Sequence, residues 1–306
     1  MAQQVYPLVE TEWLAGHLGE PGIRIVHTHY AVRFVDNRTY IPDEEHTFYA
    51  GHIPGAVFIG AETGLSAMHP GGWKTAPEPD RFAAMMGRLG VGDETFVVAY
   101  DDAAVPLGAS RLWWLLRYFG HDRVAVLNGG LRKWMAEGRA VATDAPAYPP
   151  ATFTARPRVE LRASADDVLA AINDRGTVIV DCMTREMHAG HAERPAGVRK
   201  GRIPGSKNVP WLAMAWNDPD AGTDAGRLRA LSDPSAYYCY LSPLELAELY
   251  ESQGIRPSKR VITYCEGGFA ACSGALTLAI VGVRAAVFDG SWAEWSRDPA
   301  LPVESD

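Results

Sequence analysis

Two stretches of the chain carry nearly the same run of apolar, β-branched and aromatic residues and differ in the residue that ends it: FVVAYD at 96–101 and RVITYC at 260–265. Unbroken apolar runs of this kind predict strands buried on both faces. Each is followed by a segment with helical spacing of apolar positions, GASRLWWLLRYFG at 108–120 and AACSGALTLAIVG at 270–282, closed by a glycine where a helix C-cap belongs. A short strand and turn come next, VAVLNGGLRKW at 124–134 and AAVFDGSWAEW at 285–295, with Asn or Asp six residues before a tryptophan in both. Upstream, IRIVHTHY at 23–30 and TVIVDCMT at 177–184 predict earlier strands, and each precedes a GxIPG turn, GHIPGA at 51–56 and GRIPGS at 201–206.

The same signatures in the same order predict a duplicated α/β domain, each copy a mainly parallel sheet flanked by helices. Between the copies, TDAPAYPPATFTARPRVE at 143–160 holds four prolines, which break any helical pattern and favour extended backbone. The predicted organisation is therefore a first domain at 1–142, a linker at 143–160 and a second domain at 161–306.

Composition narrows the function classes. At 306 residues and 47% apolar, the chain has material for two cores of ordinary size. No apolar run approaches a membrane span, and the opening MAQQVYPLVETEWL lacks the basic and apolar regions of a signal peptide, so a soluble, cytoplasmic protein is expected. A net charge of -8 without a block of Lys and Arg argues against a nucleic-acid surface. Four cysteines, Cys182, Cys239, Cys265 and Cys272, are too few for a disulfide scaffold and form no CxxC pair.

Aligned on the tyrosine that precedes them, the two strands end in Asp101 and in Cys265. That asymmetry locates the candidate chemistry. Cys265 lies between the C-terminal end of a strand and the start of a helix, where α/β sheets form ligand crevices. The loop that follows, Glu266, Gly267, Gly268, Phe269 and Ala270, has glycines able to turn backbone N–H groups inward around one sulfur. Such a nest, added to the positive end of the helix dipole, predicts a lowered thiol pKa and a reactive thiolate. The alternative is a buried, inert cysteine.

Tandem GxIPG turns, a strand ending in CEGGFAA and the closing DGSWAEW resemble the tandem-domain rhodanese and 3-mercaptopyruvate sulfurtransferase family over nearly the whole chain. The resemblance implies that the second copy is catalytic and the first, with Asp101, an idle duplicate, with substrate entering between them. It implies that Cys265 takes a sulfane sulfur from thiosulfate or 3-mercaptopyruvate as a persulfide and passes it to cyanide, a thiol or a protein cysteine. It also implies no metal or organic cofactor, no nucleic-acid or membrane partner, and a monomer or weak oligomer. A sulfur-accepting protein is a further partner of the expected kind.

Several positions depart from the family pattern. Glu266 stands where thiosulfate-using members place a base and mercaptopyruvate-using members a small polar residue; turned inward it repels a dianionic donor, turned outward it is a solvated helix-start acid. Met183 stands where members commonly carry an arginine. Arg185, Arg194, Arg199 and Lys200 are candidate replacements for the substrate-anion clamp, with Arg185 and Arg199 ahead. His27 and His29 share a strand face, but no third ligand at a metal spacing accompanies them, and His188 and His191 are equally weak as ligands. His52 is a candidate proton shuttle or, more simply, a turn residue. Cys272, seven residues beyond Cys265, packs a helix core or resolves an oxidised Cys265.

Two rival classes are weighed. A phosphatase with the same architecture needs an arginine six residues after the cysteine, and Ala271 stands there. A non-catalytic binding or regulatory protein, or a relay dedicated to one biosynthetic partner, stays open.

Overall fold

The computed structural model describes residues 6–30, 33–35, 38–40, 45–61, 63–194, 197–215, 233 and 235–306. Met1–Val5, part of the opening segment read above, lie outside them. The chain divides into two compact units, one of residues 1–67, 76–158 and 231–239, the other of 68–75, 159–230 and 240–306.

In the first unit, five parallel strands form the sheet: β1 (Leu8–Val9), β2 (Ile23–His29), β3 (Val57–Gly60), β4 (Phe96–Asp101) and β5 (Val124–Leu127). Their spatial order is β1-β5-β4-β2-β3. The second unit repeats it with β6 (Arg162–Ala163), β7 (Thr177–Asp181), β8 (Lys207–Asn208), β9 (Arg260–Tyr264) and β10 (Ala285–Phe288), in the order β6-β10-β9-β7-β8. All of these pairings are parallel too. Parallel neighbours need long crossovers, and helices supply them. In the first unit they are α1 (Thr11–Gly16), α2 (Glu45–Ala50), α3 (Pro79–Arg88), α4 (Leu107–Tyr118) and α5 (Gly130–Ala136). Their counterparts are α6 (Ala165–Ala171), α7 (Arg185–Ala189), α8 (Pro243–Ser252), α9 (Phe269–Ile280) and α10 (Ser291–Trp295). A further turn of helix, Trp211–Met214, follows β8 in the second unit.

Local sequence explains the helix starts. Ser164 and Ser242 each cap a helix reciprocally with Asp167 and Glu245, satisfying N–H groups that have no intrahelical partner. The helices α4 and α9, which leave the ends of β4 and β9, are buried on nearly every side, which their almost continuous apolar sequences allow. Small residues let them sit close. A Cβ on Gly108 would come within 2.6 Å of Asp101 Oδ1, and one on Gly274 within 2.7 Å of Cys182 Sγ.

The repeated tyrosine and GxIPG turn form one device. Ile53 N–H donates to the Tyr100 hydroxyl at 3.1 Å, and Ile203 N–H donates to the Tyr264 hydroxyl at 3.1 Å. The tryptophans at the repeated positions close each unit: Trp134 Nε1 donates to Ala140 O and Trp295 Nε1 to Pro302 O, both at 2.8 Å. Trp134 lies in a core with Leu14, Ile25, Phe48, Ile53, Val98, Tyr100 and Leu127. At about 25 cal/mol per Å², burying a tryptophan contributes on the order of 4 to 6 kcal/mol as an upper bound.

The proline-rich stretch read as a linker is for most of its length an ordered strap on the first unit. Ala151 N–H donates to Gly87 O, Thr154 binds Asp93 through both N–H and hydroxyl, and Arg156 N–H donates to Phe119 O. Arg158 closes it with two bonds of 2.7 Å to Asp122. Prolines forbid helix but leave alternate N–H groups free for such pairing.

Candidate functional site

Cys265 directly follows β9 and is 3% exposed. Gly268, with φ of +86°, is the left-handed N-cap of α9, a conformation that a side chain resists. It turns the loop so that its N–H reaches Cys265 Sγ at 3.2 Å, and the N–H groups of Gly267 and Ala271 are also directed at the sulfur. The nest predicted from the glycines is present. Its predicted consequence is reversed, because burial pushes the thiol up against the three N–H groups, and the Glu266 charge adds to that push. At neutral pH Cys265 rests as a thiol.

The loop is held from the other side by α10. Trp292 N–H donates to Cys265 O and Ala293 N–H to Glu266 O, both at 2.9 Å. Ser291 Oγ accepts from Cys265 N–H at 3.2 Å and donates to Phe288 O at 2.8 Å. Ser291 has φ of +53° and is the sole non-glycine residue with positive φ among the described residues. A left-handed serine costs about 1 to 2 kcal/mol. Neither Ser291 nor Ala271 emerged from the sequence as part of the site; the signal for Ser291 was present in the repeated closing turn, where the first copy reads Gly130.

The other candidates divide. Phe269 and Ala270, both buried, open α9. The Glu266 carboxylate pairs with the Arg194 guanidinium, which is 3% exposed at its side chain, whereas Glu266 is 45% exposed. Arg194 Nη2 also approaches Met183 Sδ at 3.5 Å, so this guanidinium lies against the residue that departs from the family's arginine position. Its Nε is buried and has no hydrogen-bond partner among the described residues.

Arg199, ranked ahead as an anion clamp, is instead engaged by protein. Its guanidinium donates to the carbonyls of Trp295, Ser296, Asp298 and Leu301 at 2.7 to 2.9 Å, fixing the segment after α10. Arg185 opens α7 on an exposed position. Lys200 pairs with Glu193 at 2.7 Å. Cys272 donates its thiol to Gly268 O at 3.0 Å and is fully buried. Cys182 is buried as well, and burial, with the nearby Cys265, Asp181 and Cys272, pushes its thiol well up. His188 Nδ1 lies 2.7 Å from Asp181 Oδ2, which also accepts from the Tyr264 hydroxyl at 2.9 Å.

At the matching end of β4, Asp101 Oδ2 accepts Ala109 N–H at 2.8 Å and Oδ1 accepts the Thr28 hydroxyl at 2.7 Å. Ala109 is the third residue of α4, as Ala271 is of α9. Burial pushes this carboxyl up to about 7, against those two bonds. Asp102 next to it is buried too, yet the hydrogen bond with His29 Nδ1 at 2.7 Å and the His27 imidazole, its Nε2 3.4 Å away, hold its carboxyl well below the usual range. The shared face of His27 and His29 thus serves a carboxylate, and no cluster of three or more metal-ligating side chains occurs among the described residues. His52 is buried and stacked on Phe48, with Nδ1 on Phe48 O at 2.9 Å, as a turn residue would be.

A parallel five-stranded sheet occurring twice, each with a tyrosine-locked GxIPG turn and a residue cradled at the end of the fourth strand in sequence, defines a tandem rhodanese fold. The rhodanese-like domain family matches residues 10–137 and 164–298, and the chain belongs to that family. Its relatives include the 3-mercaptopyruvate sulfurtransferase of Escherichia coli K12, 30% identical over 298 residues that cover 97% of each chain. Mouse thiosulfate sulfurtransferase is 31% identical over 297 residues, covering 95% of this chain and 92% of the mouse protein. The sulfur carrier protein TtuD of Thermus thermophilus is 31% identical over 313 residues, covering 97% and 95%. Among solved structures, the crystal structure of the Escherichia coli 3-mercaptopyruvate enzyme SseA matches with a TM-score of 0.75 and 28% identity, covering 94% of this chain and 99% of that one. An anaerobic ergothioneine biosynthesis enzyme from Chlorobium limicola shares the fold, with a TM-score of 0.76 at 24% identity over 99% of this chain and 71% of its own. The relatives as a group are sulfurtransferases and a sulfur carrier, which supports a sulfurtransferase here. Among the described residues, no helix is long and apolar enough to cross a membrane.

Proposed function

We propose that the protein is a sulfurtransferase in which residues 161–306 form the catalytic domain and residues 1–142 an idle copy, with 143–160 joining them. The observation that carries this reading is the Gly268 N–H bonded to Cys265 Sγ at 3.2 Å at the start of α9, with the Gly267 and Ala271 N–H groups also lowering the thiol pKa. Once deprotonated, Cys265 attacks the outer sulfur of thiosulfate or the thiol sulfur of 3-mercaptopyruvate. With thiosulfate, the S–S bond breaks and sulfite leaves with the electron pair; with 3-mercaptopyruvate, the C–S bond breaks and the pyruvate enolate leaves and takes up a proton. The new Sγ–S bond is a persulfide, whose negative charge the N–H nest stabilises. Attack by a thiol, cyanide or a protein cysteine on the outer sulfur regenerates Cys265.

Donor preference follows from the Arg194–Glu266 pair. A guanidinium already matched by a carboxylate offers little net charge to a dianion, so the singly charged carboxylate of 3-mercaptopyruvate is favoured over thiosulfate, with the Arg194 Nε–H, which has no partner among the described residues, as one donor to it. Arg185 is a second candidate for that carboxylate.

Intact-mass spectrometry after exposure to each donor tests the reading. The expected result is one added sulfur on the wild type, formed faster with 3-mercaptopyruvate, and none on Cys265→Ser with its unfolding temperature unchanged. A Cys265→Ser variant that still takes up sulfur, or a wild type that takes none from either donor or a polysulfide, overturns it.

A further inference from the structure

We propose that Ser291 is a positioning residue for the nucleophile: its left-handed backbone is retained so that its hydroxyl can hold the Cys265 peptide in the orientation that places Sγ inside the N–H nest. The inference rests on Cys265 being the sulfur carrier.

Three observations converge on it. The two copies use the same left-handed backbone at this point of the closing turn, φ of +55° at Gly130 and +53° at Ser291. The first copy meets that demand with glycine, the residue that adopts it without strain. There a side chain has no room, since a Cβ on Gly130 would lie 2.6 Å from Asp101 O. The second copy keeps a side chain, fully buried, and gives both of its hydrogen-bonding capacities to the strand ends: it accepts from Cys265 N–H at 3.2 Å and donates to Phe288 O at 2.8 Å. Strain held at one residue, in the copy with the cysteine and not in the other, points to function rather than to folding.

The physical consequence is specific. Sγ accepts the Gly268 N–H at 3.2 Å, while the N–H of Cys265 itself is directed to Ser291. With the hydroxyl removed, that buried N–H has to seek another acceptor, and its peptide loses the bond on that side while Cys182 N–H still holds Tyr264 O at 2.8 Å. With glycine at 291, the backbone that presents Trp292 N–H to Cys265 O and Ala293 N–H to Glu266 O also gains freedom.

The test compares Ser291→Gly, which removes strain and hydroxyl together, with Ser291→Ala, which keeps the strain and removes the hydroxyl. Single-turnover sulfur loading is followed by intact mass across 3-mercaptopyruvate concentration and pH, alongside unfolding temperature and the alkylation rate of Cys265 by uncharged iodoacetamide. In both variants the maximal loading rate is expected to fall tenfold or more, the half-saturating donor concentration to stay within twofold, and alkylation to slow in parallel. Ser291→Gly is expected to do this while unfolding within a few degrees of the wild type. Wild-type loading and alkylation rates in either folded variant overturn the inference and leave the carrier reading standing. A wild type that takes up no sulfur overturns the carrier reading itself.

Discussion

The ends of β4 and β9 are the same place built twice, and their differences separate what the fold requires from what chemistry requires. Both present a buried anionic or potentially anionic group to the N–H of the third residue of the next helix, Asp101 to Ala109 and Cys265 to Ala271. Both follow it with an acid held by nitrogen-bearing side chains, Asp102 beside the His27 and His29 imidazoles and Glu266 by the Arg194 guanidinium. The loops differ in length: residues 102–106 precede α4, whereas residues 266–268 precede α9. The longer one includes Pro106, which has no N–H to offer, and the shorter one includes two glycines. An anion-binding strand end is thus a property of the architecture. Converting it into a nest around one sulfur takes the short glycine loop and the buttress of Ser291.

The comparison can be broken by moving the cysteine. In a Cys265→Ser background, Asp101→Cys is expected to take up no sulfur from 3-mercaptopyruvate in intact-mass measurements, because the longer loop brings Ala109 N–H to that position without the glycine N–H groups. Loading of the relocated thiol at even a tenth of the wild-type rate would show that the strand end alone suffices.

A second substitution sharpens the contrast between the two acids. Glu266→Gln removes the charge that offsets Arg194 while preserving its shape, and should raise kcat/KM for thiosulfate relative to 3-mercaptopyruvate by about tenfold, or about 1.4 kcal/mol. Steady-state assays with both donors in matched ionic strength check it; an unchanged ratio would mean that the guanidinium does not meet the donor.

The remaining effect is one of stability and concerns the first copy. Asp101 has an ordinary value of 3.8 in the unfolded chain and about 7 in the fold, so the folded protein binds the extra proton between those values and its stability falls as pH rises through that window. At pH 8 the cost is at most about 4 kcal/mol. Asparagine keeps a neutral group there: its carbonyl accepts Ala109 N–H, and its amide donates to Thr28 Oγ1, which can turn its own proton to Tyr100 O, 3.1 Å away. Asp101→Asn should therefore gain about 2 kcal/mol at pH 8 in urea unfolding, with the gain vanishing below pH 4. A constant gain across pH would place its origin elsewhere than in the carboxyl.

Much of the fold was legible in the sequence because it was stated twice. Strands buried on both faces read as apolar runs, and the order of signatures gave the duplication. Cys265 emerged as the candidate nucleophile because its counterpart is Asp101, and the glycines after it announced the nest. Other features were not legible. Arg199 has the residue type of an anion clamp, but four backbone carbonyls from the segment after α10 take its donors. Glu266 read equally well inward or outward, since what decides it is Arg194, 72 residues away along the chain. The proline-rich stretch read as a linker because proline signals only the absence of helix, and its pairing with Gly87, Asp93 and Phe119 is a long-range matter.

By itself, the sequence determined the two parallel sheets and the repeated GxIPG turns and singled out the candidate reactive atom, all of which follow from local residue patterns and their repetition. Only the tertiary structure decided how that atom is held and how acidic it is. Burial is a property of everything packed around Cys265, and it outweighs the N–H groups that the loop sequence supplies. The buttress at Ser291 belongs to the same level, because a backbone angle and a hydrogen bond across 26 residues arise only when the closing turn folds back beneath the loop.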